Sequence, residues 1–153
     1  MANSYTQIYV QFVFAVENRI SLIKSAWKDE LYKYITGIVQ NNKHKLIAIN
    51  GMPNHIHIFI GYKPNQLIPN LLQGIKRDSS KWINKKGFVT GHFEWQEGYG
   101  AFSYSHSQID QVAKYIISQE QHHKKRTFSE EYLALLKKFN IPYDERYILK
   151  DVE

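Results

Sequence analysis

Two imidazoles, a phenol and an amide stand at spacings that could do chemistry together. In "GMPNHIHIFIGY", residues 51–62, His55 and His57 are two apart; in "KYIISQ", Tyr115 and Gln119 are four apart. Residues i and i+2 of a strand share a face roughly 7 Å apart, so His55 and His57 project together and can converge on one metal ion. Ile56, Ile58 and Ile60 then point the other way, into a core. Two partly exposed histidines on an open sheet face are the competing reading, and the pairing on so apolar a strand favours ligands. Residues four apart on a helix also share a face, so Tyr115 and Gln119 form a polar stripe with Gln111 and His122 nearby. Ile109, Val112 and Ile116 make a separate stripe for packing. Taken alone, Tyr115 and Gln119 read as an exposed pair on a solvated helix.

The elements that must carry these residues are legible in the periodicity. "YTQIYVQFVFAV", residues 5–16, alternates: Thr6, Ile8, Val10, Phe12 and Phe14 on one face, Tyr5, Gln7, Tyr9 and Gln11 on the other, which predicts a strand. Residues 25–42 switch to helical spacing through Trp27, Leu31, Tyr34, Ile35, Ile38 and Val39, with Ser25 as expected N-cap. "KHKLIAING" and "NHIHIFIGY" follow as two strands of a hairpin. Residues 66–85 are helical again, Pro69 being tolerated in the first turn. "FEWQEGYGAFSYS", residues 93–105, predicts a fourth strand interrupted by Gly98 and Gly100. "SQIDQVAKYIISQEQHHKK" predicts a third helix with Ser107 as N-cap and Asp110 completing a capping box. A short helix over about 129–139 and an irregular tail with Pro142 end the chain. The order β-α-β-β-α-β is the split βαβ pattern. It predicts an α+β, ferredoxin-like antiparallel sheet with an additional C-terminal helix bearing Tyr115, in a single domain over 1–153. Such a fold hosts many functions and selects none.

The 153 residues include no cysteine, which excludes a disulfide framework, a Cys-type zinc site and a cysteine nucleophile. The start, "MANSYTQIYV", lacks the basic-then-apolar order of a signal peptide, and no apolar run is long enough to span a bilayer. Twenty Lys and Arg against 14 Asp and Glu leave a net charge of +6, which suits a polyanionic partner. The basic positions Lys76, Arg77 and Lys81 flank the second helix. His122, Lys124, Lys125 and Arg126 lie in "HHKKR". Both sets are candidate phosphate contacts; for "HHKKR", charge favourably placed near a helix C-terminus explains the run equally well.

"NHIHIFI", "WQEGYGAFSYS" and "VAKYIISQ", in this order and at these separations, resemble the single-tyrosine HUH transposases. These are the small transposases of bacterial and archaeal insertion sequences, with the related repeat-associated tyrosine transposases. The resemblance runs from the first strand through Gln119 and beyond, and "GIKRDSSKWI" is similar to the family's lysine-bearing helix. Residue by residue, it implies that His55 and His57 are metal ligands, Gln119 the third ligand and Tyr115 the nucleophile. It also implies a divalent ion, Mg2+ or Mn2+, and single-stranded DNA hairpins as substrate. The homodimer it implies completes each active site in trans, in a cytoplasmic, nucleoid-associated setting.

The residue types suit that chemistry. Two imidazoles and an amide oxygen are neutral, so the ion would keep its double charge for a phosphate oxygen. A tyrosine, with an ordinary pKa near ~10, needs neighbouring positive charge to attack. Attack by tyrosine stores the bond energy in a 5′-phosphotyrosine, and the sequence accordingly has no G-x-x-x-x-G-K-[ST] loop. Three other readings compete. A histidine-triad hydrolase would need a histidine where Phe59 stands. A metal-dependent nuclease would attack with water and leave Tyr115 idle. A non-catalytic RNA-binding module would stack bases on Tyr5 and Tyr9.

Overall fold

The structure, a computed structural model, describes residues 4–122 and 124–144. The expected tail from 145 onward lies outside the described residues. Four strands form one antiparallel sheet in the order β2-β3-β1-β4: β1 (Tyr9–Ala15), β2 (Lys45–Met52), β3 (His55–Gly61) and β4 (Gly100–Tyr104). α1 (Lys28–Asn41) joins β1 to β2 and α2 (Ile68–Lys86) joins β3 to β4. Each crossover leaves one strand between the two it connects, which is the split arrangement expected from the sequence. After β4 come α3 (Ile109–Ile117), α4 (Gln119–His122) and α5 (Phe128–Lys138).

Alternation along β1 and β3 divides the sheet into two faces. Val10, Phe12 and Phe14 from β1 and Ile56, Ile58 and Ile60 from β3 enter one core with Leu31, Ile35 and Val39 of α1 and Leu71, Leu72 and Ile75 of α2. Each of these side chains, fully buried, contributes roughly 1.5–3 kcal/mol, and together they fix which way the histidines face. The register pairs Val13 with His57 and Ala15 with His55, so both imidazoles share the face of Val13 and Ala15.

That second face is covered, not open. Phe128 and Leu136 of α5 pack on Val13, Ala15 and Phe102, while Val112 and Ile116 of α3 pack on Ala48 and Phe59. His55 and His57 are consequently 0% exposed. Helices pack on both faces of the sheet, and α3 and α5 form the layer over the histidines.

Several boundaries shift for local reasons. α1 starts after Trp27, with no side-chain cap, rather than at Ser25. The β2–β3 hairpin turns tightly at Pro53 and Asn54, and Gly51 belongs to the ladder. A Cβ on Gly51 would lie 2.2 Å from the His55 carbonyl oxygen, so that position tolerates only glycine. Residues 93–99 leave the sheet except for the single bridge Val16–Trp95. They dock on α2 through Trp95 Nε1 donating to Ser79 Oγ (2.8 Å), Asn84 bonding both backbone groups of Phe93, and Lys76 Nζ donating to the carbonyls of Gln96 (2.9 Å) and Gly98.

Candidate active site

The cap ahead of α3 lies two residues earlier than expected, at Ser105 rather than Ser107. A 3-10 turn, His106–Gln108, leads into it, and Ser105 with Gln108 forms the capping box in place of Ser107 with Asp110. The helix then stops at Ile117, and Gln119 opens the separate α4. The last turn of a helix leaves carbonyls without intrahelical partners. Here Asn50 Nδ2, from β2, donates to the carbonyls of Ile116 (3.1 Å) and Ile117 (2.9 Å). The break replaces the continuous helix the sequence suggested. Tyr115 and Gln119 still meet at one point, through a bend instead of a shared helical stripe.

That point lies over the two histidines. Asn54 Oδ1 is 2.8 Å from His55 Nδ1, and Gln11 Oε1 is 2.7 Å from His57 Nδ1. Amide oxygens only accept, so each Nδ1 carries the hydrogen and each Nε2 presents a lone pair. Glu131 Oε1, from α5, lies 3.3 Å from His55 Nε2 and 3.1 Å from His57 Nε2. Gln119 Oε1 lies 3.2 Å from His55 Nε2. His55, His57 and Glu131 each offer one ligand atom within 4.8 Å of the others. Gln119 and Glu131, like the histidines, are 0% exposed. Two imidazole lone pairs, a carboxylate oxygen and an amide oxygen thus face one another, and a cation is the species that reconciles them. The donor set fits a divalent ion, with imidazole favouring manganese and later metals over magnesium.

Tyr115 stands on the other side of Glu131. Its hydroxyl donates to Glu131 Oε2, Gln119 Nε2 donates to the same oxygen (3.1 Å), and Arg126 Nη2 donates to the Tyr115 hydroxyl oxygen (3.1 Å). The carboxylate is therefore shared, one oxygen toward the histidines and one toward the phenol. Burial first, then the charge and hydrogen bond of Glu131, push the Tyr115 hydroxyl well above the usual tyrosine range, and the Arg126 guanidinium opposes them.

The structure brings His55, His57, Gln119, Tyr115 and Arg126 together. It does not bring in the α2 residues, which lie across the sheet from Tyr115. Lys76 is turned onto the 96–98 backbone, Arg77 pairs with Asp78 (3.0 Å), and Lys81 is exposed. Lys124 and Lys125 are exposed. The His122 side chain and His123 lie outside the described residues. The resemblance implied a tyrosine supplied by a second chain; here Tyr115 lies beside the histidines of its own chain, ring centroids 6.2 Å from His57.

Three site residues escaped the sequence reading: Gln11, Asn54 and Glu131. Glu131 had a signal. Phe128, Glu131 and Leu135 fall at i, i+3 and i+7, so an acid sits on the apolar stripe of α5. Its carboxylate lies among the neutral donors that the sequence reading named.

A ferredoxin-like sheet with paired buried histidines and a tyrosine-bearing helix laid over them defines the tyrosine transposase class. The chain belongs to the family described as "Transposase IS200 like", which matches residues 4–119. It is 25% identical over 118 residues to the ISDra2 transposase TnpA of Deinococcus radiodurans, covering 74% of this chain and 84% of that protein. Among solved structures, it is similar to a candidate transposase from D. radiodurans R1 (TM-score 0.61, 20% identity, 78% of this chain and 95% of that one). It is also similar to the REP-associated tyrosine transposase bound to a REP hairpin (TM-score 0.61, 13% identity, 100% of this chain and 96% of that one). Glu131 lies beyond the stretch that the family matches. Among the described residues no helix is long and apolar enough to cross a membrane.

Proposed function

We propose that this transposase cuts and rejoins single-stranded DNA near hairpins through a covalent 5′-phosphotyrosine on Tyr115. The carrying observation is that the Tyr115 hydroxyl and the His55–His57 pair meet on one buried carboxylate, Glu131. A nucleophile and an ion site on opposite oxygens of one group lie close enough to act on one phosphate. The REP hairpin held by a structural relative supports the choice of substrate.

His55, His57, Gln119 and Glu131 would hold the divalent ion, which supplies charge neutralisation at a non-bridging phosphate oxygen. Tyr115 Oη attacks phosphorus while its proton passes to Glu131 Oε2. The bond from phosphorus to the 3′-oxygen breaks, and that oxygen takes the proton, leaving a free 3′-hydroxyl. Arg126 stabilises the phenolate as it forms and then faces the bound phosphate. Run backward, with a 3′-hydroxyl attacking the phosphotyrosine, the same groups rejoin DNA without ATP. Gln11 and Asn54 hold the imidazoles in the tautomer that presents Nε2.

The test is an adduct. Wild-type protein incubated with labelled single-stranded hairpin DNA and Mn2+ should give a band that survives a denaturing gel. Tyr115→Phe should bind the same DNA and give no band. Cleavage by the Phe variant at the wild-type rate would make water the nucleophile and sink the proposal.

A further inference from the structure

Beside the nucleophile lies a cavity of about 220 Å³ that the chemistry above leaves unused. α3 and α5 wall it, and Gln11 of β1 and Tyr104 of β4 floor it. Its size is about seven waters' worth. That is below the ~300–1,000 Å³ of sites for drug-sized ligands, and it suits one planar ring system better than a length of DNA. The walls mix the apolar side chains of Val112, Ala134 and Leu135 with amides and a phenol.

The polar groups are directed. Tyr104 Oη accepts from Gln11 Nε2 (2.8 Å), so its own hydrogen is left to point elsewhere. Burial raises the Tyr104 pKa to about 12, which keeps that hydrogen in place at neutral pH. Gln111 makes no side-chain hydrogen bond among the described residues, so its amide offers a donor and an acceptor at the cavity wall. Cations are also placed for a phosphate chain: Arg126 at the Tyr115 hydroxyl, and Lys138 Nζ 6.0 Å over the Tyr104 ring. A small, partly apolar cavity with hydrogen-bonding groups on its walls, next to the atom that attacks phosphorus, is how enzymes read an unstacked base.

Resting on the transposase reading above, we infer that this cavity receives one unpaired nucleobase of the strand being cut, adjacent to the attacked phosphate. Gln111 and the Tyr104 hydroxyl would read its edge. The protein would then select its cleavage position partly by direct contact, apart from any hairpin recognition.

The experiment is an abasic scan. Single-stranded hairpin substrates each carry one abasic site at a different position around the cleavage point, and the rate of adduct formation is read for each. Wild type should show one flanking position at which losing the base slows the reaction by about tenfold, the size expected for a lost base-edge contact. Gln111→Ala, a change on an exposed helix face, should slow the intact substrate similarly and remove the penalty at that position, because the two losses share one interaction. Ala134→Trp, also at an exposed position, fills the cavity. It should slow the intact substrate and leave the substrate abasic at that position nearly unaffected. Uniform sensitivity at every position, or variant costs that multiply with the abasic cost, would overturn the base pocket while leaving the transposase reading intact. Absence of any wild-type adduct on intact DNA would overturn both.

Discussion

Each imidazole at the centre of this protein is steered by a neighbour that only accepts a hydrogen. Asn54 and Gln11 oxygens occupy the two Nδ1 positions, so both Nε2 lone pairs are committed to one point. Glu131 then decides what that point becomes. Its carboxylate would lend negative charge to a cation held there, strengthening ion binding while reducing the charge left for phosphate. Glu131→Gln keeps the shape and removes the charge. The variant should bind Mn2+ about tenfold or more weakly, since even a partner one step removed from a metal costs about 10–100-fold. Calorimetric titration of the folded variant measures it, and unchanged affinity would remove Glu131 from the site. At this scale the sequence was legible where period alone decides, and His55 with His57 is such a case. Gln11 was visible on the polar face of its strand, yet its contact with His57 depends on the β1–β3 register, which no local pattern states. Glu131 depends on how α5 docks.

The elements explain why so much polar chemistry is tolerated in a buried layer. β3 gives Ile56, Ile58 and Ile60 to one core and its histidines to the other. α5 closes that second layer with Phe128, whose ring lies 4.3 Å from that of His55. The tight hairpin at Pro53–Asn54 places Asn54 on His55, and it depends on Gly51. Gly51→Ala would drive a methyl into the His55 carbonyl. Strain of this kind costs about 1–3 kcal/mol. The variant should melt lower and lose metal affinity together; a normal melt with normal metal binding would show that the hairpin has slack. α2 offers a second test. Burial lowers Lys76 to about 8, with the Glu97 charge opposing. An unfolded lysine titrates near ~10.4. Between these values the unfolded chain holds more protons, so the stability this residue contributes rises with pH over that window and is lowest below it. The melting temperature of wild type relative to Lys76→Met should therefore climb from pH 8 to pH 10. A flat difference would mean that Lys76 keeps its proton equally well in both states. The break after Ile117 was not legible, because the sequence "YIISQEQ" runs on at helical spacing. Asn50, 66 positions before Ile116, takes up the freed carbonyls.

For the whole molecule the chain that supplies the tyrosine decides how the site is assembled. The topology was readable because the order β-α-β-β-α-β admits few right-handed, short connections, and the sheet order agrees. The third layer was not, because nothing in the pattern of α3 or α5 names the face it covers. That layer determines the assembly of the site. Here α3, α4 and α5 of one chain place Tyr115, Gln119 and Glu131 on their own histidines, so one chain holds the complete constellation. The trans dimer implied by the resemblance would need α3 to leave Asn50 and the Val112 and Ile116 packing and dock identically on a partner. Mixing His57→Ala chains with Tyr115→Phe chains separates the two. If each site is built within its own chain, every site carries one defect and no cleavage returns. If tyrosines are exchanged, each mixed dimer holds one intact site and one doubly defective site, and cleavage partly recovers. The arrangement seen here predicts no recovery, with the adduct gel as the readout. Recovery in proven mixed dimers would show that the cutting state exchanges its tyrosine helices and that the single-chain arrangement is a resting one.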